Sequence, residues 1–81
     1  MTFKEAFNKA ETWQKKIVLI SLYHNRCLAK HHTWHISDTA KYFECSIALI
    51  SENLKLNNHY DDVKDCKSRN EALIKLRNNH L

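Results

Sequence analysis

Eighty-one residues allow one small domain, residues 1–81, and no more. The chain has no Gly and no Pro, so the tight turns of a β-rich fold lack their usual residues, and helices joined by short polar corners are the natural reading. A net charge of +4 and a pI near 9.1 favour an anionic partner, although dedicated non-specific nucleic-acid binders are more basic than this. The longest apolar runs, such as residues 17–20, are too short to cross a bilayer. With no secretory layout, the expectation is a cytoplasmic protein (in the host cytoplasm if the chain is viral) that has no membrane partner. Three cysteines without a C-x-x-C pair predict reduced thiols.

In chain order, Thr2 and Glu5 form a capping-box pattern ahead of Phe3, Phe7 and Ala10 at helical spacing. That predicts a short first helix, or the first turns of a longer one. Trp13, Ile17, Ile20, His24, Cys27 and Leu28 then continue an apolar stripe, and Val18, Leu19, Leu22 and Tyr23 widen it. This is the expected central helix, ending near Lys30 or His31, where basic side chains suit a helix C-terminus. Residues 32–35 read as a connector anchored by Trp34. Ser37 is expected to cap a helix carrying Ala40 and Phe43, and Ser46 one carrying Leu49, Ile50, Leu54 and Leu56. Asn57, Asn58 and His59 form a polar break, followed by a turn from Asp61 or Asp62 to Cys66. A second box, Ser68 to Glu71, opens a last helix with Ala72, Leu73, Leu76 and Leu81 on one face. The expected fold is all-α, a small domain of four or five helices.

Residues 36–56, ISDTAKYFECSIALISENLKL, are the most informative stretch. Two short capped helices joined by Glu44, Cys45 and Ser46 must cross steeply, which is the geometry of a helix-turn-helix. Ala40 supplies the small residue where the backbones come closest, and Phe43, Cys45 and Ile50 close the corner. The stretch resembles the helix-turn-helix of the ParB/KorB-like plasmid partition and phage DNA-binding proteins, whose motif runs I-x-x-x-A-x-x-F-G-x-S-x-x-x-[VI]-S-x-x-L-x-L. Ile36, Ala40, Phe43, Ser46, Ile50, Ser51, Leu54 and Leu56 match it. Glu44 stands where the family usually has Gly, at a corner that often takes a left-handed conformation, which costs a Glu roughly 1 kcal/mol. The downstream segment DDVKDCKSRNEAL is similar to what packs against the bihelical unit in some phage relatives.

By that resemblance the second helix reads the major groove. Its base-reading residues would be Ser46, Ile47, Ala48, Ser51, Glu52 and Lys55, with Ile47 and Ala48 suited to a thymine methyl and Glu52 to cytosine N4. Lys55 is the single basic residue among them, so phosphate contacts fall to Lys30, Lys41, Lys64, Lys67 and Arg69, with the His31 and His32 pair, Lys75 and Arg77 as further candidates. A set of basic residues is also what an ordinary solvated helix face carries. Tyr42, between two core positions, is expected to face outward.

Cys27, His31, His32 and His35 have the side chains of a zinc site, but they crowd into one helix end without a second nearby Cys, and no metal is expected. Cys45 or Cys66 with a His has no Gly-rich turn to make an oxyanion nest, so neither an enzyme nor a cofactor is expected. The sequence therefore predicts sequence-specific double-stranded DNA binding by a transcriptional regulator or partition-type protein of a phage or mobile element. Two half-sites call for a homodimer, joined through Phe3 and Phe7 or through Leu73, Leu76 and Leu81. The alternative is a phage-encoded interaction protein that uses the same helices to bind and modulate a host protein.

Overall fold

Hydroxyl caps start several of the helices. The computed structural model describes residues 1–79, all helix and connection, and Leu81 lies outside them. Thr2 Oγ1 accepts the Glu5 amide at 3.1 Å and opens α1 (Phe3–Lys9), with Glu5 returning the bond as the capping box requires. Ala10 turns extended and Thr12 caps the next helix at once, so α1 is separate from α2 (Trp13–Lys30). Ser46 Oγ takes the Leu49 amide at the start of α4 (Ile47–Asn58). Ser68 Oγ takes that of Glu71 at the start of α6 (Arg69–Asn79). Each such cap contributes about 1 kcal/mol.

At α3 (Ile36–Phe43) the expectation fails. Ser37 lies inside the helix; His35 is the capping position, and its amide donates to Asp38 Oδ2 at 3.0 Å. The carboxylate one turn in satisfies an orphan amide that a Ser37 cap would have left unpaired. At the C-terminal end, Glu44 adopts the left-handed conformation, φ 57° and ψ 46°. Its amide donates to the Lys41 carbonyl and that of Cys45 to the Ala40 carbonyl, the pair of bonds that defines a Schellman motif. A Glu thus occupies the position that usually selects Gly.

After His59, one turn of backbone bonds closes α5 (Tyr60–Val63), giving six helices among the described residues where four or five were expected. The helices enclose two apolar clusters. Ile17, Leu56, Val63, Ala72 and Leu76 form the first, flanked by Trp13, Val18, Tyr60, Cys66 and Leu73. Ile20, Ala40, Phe43 and Ile50 form the second, flanked by Phe3, Phe7, Tyr23, Tyr42 and Leu49 among others. Both α2 and α4 contribute to each. Leu22 does not join the stripe and stays 55% exposed, because its position on the helix lies well round from Ile17 and Ile20. Tyr42 is half-buried rather than outward: its ring stacks on Tyr23 at 4.0 Å, and its hydroxyl accepts the Lys4 amide.

The two segments expected to hold a second copy differ in what they leave open: Phe3, Phe7 and Leu73 are half-buried, and Ile74 beside Leu73 is 55% exposed. Phe3 and Phe7 turn into the second cluster, and Leu76 is 4% exposed in the first. No helix among the described residues is long and apolar enough to cross a membrane.

Candidate nucleic-acid interface

An α-helix advances about 100° per residue, so its buried and exposed positions separate onto two faces. On α4, Ile50, Asn53 and Leu56 point inward, while Ile47, Ala48, Ser51, Glu52 and Lys55 make one continuous exposed strip. Ala40 is 3% exposed and Phe43 4%, which anchors α3 against α4 through the second cluster. The strip is narrow in chemistry: a methyl, a branched alkyl, a hydroxyl, one carboxylate and one ammonium. Ser46 is exposed at its head, but its Oγ is already engaged with the Leu49 amide.

The fold joins two side chains that sequence reasoning assigned to different tasks. Arg69 Nη1 lies 3.1 Å from Glu52 Oε1 and also donates to Asn53 Oδ1 at 3.4 Å. The assigned base reader and the assigned phosphate contact therefore pair with each other, tying the start of α6 to the middle of α4. Seventeen residues separate the partners, and no local pattern announces the contact. An exposed pair of this kind contributes about 0–1 kcal/mol.

The remaining cations divide by their neighbours. Lys64 lies 3.9 Å from Asp61. Lys30, Lys41, Lys55 and Lys67 are exposed and make no ion pair among the described residues. Lys41 sits in the last turn of α3, one helix from the exposed strip of α4. Sequence reasoning gave no role to Lys4, yet its ammonium meets Glu44 at 2.9 Å, so α1 straps the corner between α3 and α4.

Behind α3 lies a buried polar relay. Thr39 is fully buried; its Oγ1 accepts the Trp34 indole N–H at 2.8 Å and stands 2.6 Å from His24 Nδ1. A neutral imidazole pairs with this hydroxyl in either tautomer, because Thr39 Oγ1 has one proton to give and a second lone pair to receive. Burial agrees, holding the His24 pKa below the ordinary histidine value. Trp34 anchors the connector by this bond and by its edge contact with Tyr23 at 6.2 Å. His31, His32 and His35 remain on the surface. Among the described residues no three His, Cys, Asp or Glu side chains converge as metal ligands would. Burial pushes the Cys45 thiol up, away from the thiolate a nucleophile needs. No protein-family model, curated protein or solved structure matches the chain.

Proposed function

We propose that α3 and α4 form a helix-turn-helix that binds double-stranded DNA sequence-specifically, α4 lying in the major groove, in a transcriptional regulator or partition-type protein of a phage or mobile element. The observation that carries this reading is the exposed strip of α4. Ile47, Ala48 and Ser51 are short enough to let the helix approach base edges, and they follow directly on a capped N-terminus and a left-handed corner. The resemblance at residues 36–56 supports the same reading. Ser51 addresses base edges, Ile47 and Ala48 the thymine methyl, and Lys55 an acceptor further along the groove. Lys30, Lys41 and Lys67, which lack ion-pair partners among the described residues, hold phosphates. Glu52 holds Arg69 by Oε1 and keeps Oε2 for cytosine N4. A homodimer would place two copies on paired half-sites.

Fluorescence anisotropy with random and selected duplexes, titrated with salt, tests the reading. Affinity should fall steeply with salt, by about 0.9 in the log–log slope for each phosphate neutralised. Lys41→Ala should weaken binding to all sequences alike and lower that slope by about one. Ser51→Ala should change which sequences are selected. A protein that binds no duplex at low salt overturns the reading. The strip of Ile47, Ala48 and Lys55 would then belong to an interface with a host protein.

A further inference from the structure

Where α1, α2, α4 and α6 meet, a cleft of about 260 Å³ opens, lined by Phe7, Trp13, Lys16, Leu49, Asn53 and Arg69. None of these side chains is fully exposed, and Asn53 is 3% exposed. Its amide chemistry is fixed by its neighbour. A guanidinium only donates, so Asn53 Oδ1 must face Arg69 Nη1, which leaves the Nδ2 hydrogens for an acceptor. No acceptor meets them among the described residues. Lys16 brings an ammonium held 5.0 Å over the Phe7 ring, with no ion-pair partner among the described residues. Arg69 keeps its Nε and Nη2 groups free of hydrogen bonds there.

The polar groups left for an occupant of this cleft are therefore donors; Lys16 brings an ammonium without an ion-pair partner among the described residues, Arg69 a guanidinium that Glu52 holds by Nη1 alone, and no carboxylate is among the lining residues. Its walls are flat and apolar. The Trp13 indole N–H is committed to the Cys66 carbonyl at 3.1 Å, which fixes the ring at the wall. Gln14 braces the same loop by donating to the Lys64 and Cys66 carbonyls. A preformed pocket with a few convergent polar groups on aromatic walls is what small-molecule sites look like, and its size, just under the usual range of about 300–1,000 Å³, admits only a small occupant.

We propose that this cleft binds a small aromatic carboxylate, its ring between Phe7, Trp13 and Leu49 and its carboxylate accepting from Asn53 Nδ2, Lys16 and Arg69. This site adjoins the α4 strip through the Arg69–Glu52 pair, and its occupancy is read on the protein without DNA.

Benzoate is the probe, with benzamide as its neutral counterpart and acetate as the carboxylate without a ring, each titrated into the ¹⁵N-labelled full chain. Benzoate should shift the Trp13 indole and Asn53 side-chain amide signals saturably. Benzamide and acetate should each bind at least about tenfold more weakly. Lys16→Gln should weaken benzoate about tenfold while lowering the urea midpoint only slightly, by the loss of the Lys16 contact with the Phe7 ring. Equal binding of benzoate and benzamide, shifts that never saturate, or an unaltered affinity in Lys16→Gln would each overturn the proposal.

Discussion

The two clusters of this small protein solve the same packing problem with different materials. The first is aliphatic at its centre, where Ile17, Leu56, Val63, Ala72 and Leu76 interlock. The second is aromatic. Phe7 meets Phe43 at 5.1 Å, Tyr23 meets Phe43 at 5.3 Å, and Tyr23 stacks on Tyr42. Beside it run the buried His24 and Thr39 and the half-buried Trp34. Aliphatic packing holds whatever the pH, whereas rings and hydrogen bonds fix direction and so suit the side of the molecule that must hold a defined corner. Ser21, next to Ile20 on α2, shows the hazard of polar groups in so small a core. Its buried hydroxyl finds no hydrogen-bond partner among the described residues, and a buried hydroxyl left unpaired costs about 1–3 kcal/mol.

The comparison can be broken hardest at its centres. Ile17→Ala and Ile50→Ala each remove a side chain with no exposed surface and should destabilise by about 2–5 kcal/mol. Because α2 and α4 run through both clusters, Ile17→Ala should lower the urea midpoint equally whether unfolding is followed by Trp13 or by Trp34 in single-tryptophan variants. If the Trp34 signal keeps its midpoint, the clusters unfold as separate units. A smaller effect is expected at the helix crossing, where Ala40→Leu overpacks the second cluster by about 1–3 kcal/mol. An unchanged midpoint there would mean that α3 and α4 are not in contact at Ala40.

The finest distinction is in acid. His24 has its pKa lowered by burial from the ordinary 6.5, so the unfolded chain takes up a proton that the folded chain resists. Its neutral form therefore contributes stability that is fully present above pH 6.5 and lost as the pH falls from there through the folded-state pKa. Urea titrations at pH 7 and below should show the native protein losing more stability on acidification than His24→Asn. The buried residues of the first cluster carry no ionisable side chain, so equal losses would place the acid-sensitive group elsewhere.

Much of the fold was legible because its signals are local. The caps at Thr2, Ser46 and Ser68 lie within three residues of the amides they satisfy. Ile17, Ile20 and His24 mark the buried face of α2 by spacing alone. The left-handed corner was foreseen at Glu44 even though Glu rarely adopts it, because the matched motif places Gly there. What escaped was either a choice between neighbouring caps or a contact made across the chain. Ser37 offers a hydroxyl cap two residues beyond His35, and the helix starts earlier because the Asp38 carboxylate takes the His35 amide. The outward Tyr42 was wrong because its partner Tyr23 comes from another helix. The Glu52–Arg69 pair and the cleft beside it depend on α6 returning to α4, which neither period nor spacing encodes.

The strap formed by α1 determines how the molecule comes apart. α1 contains no buried residue; it is held by the half-buried Phe3 and Phe7, which meet Tyr23, Phe43 and the Lys16 ammonium, by one exposed ion pair to Glu44 and by one hydrogen bond from the Lys4 amide to the Tyr42 hydroxyl. Elements with so little burial exchange their amide hydrogens first, by local opening that leaves the remaining helices in place. When α1 lifts, it uncovers the rings of Tyr42 and Phe43 and leaves the strained Glu44 without its ammonium neighbour. Opening of α1 alone would expose an aromatic face at the corner that joins α3 to α4, and association between chains at high concentration would begin there.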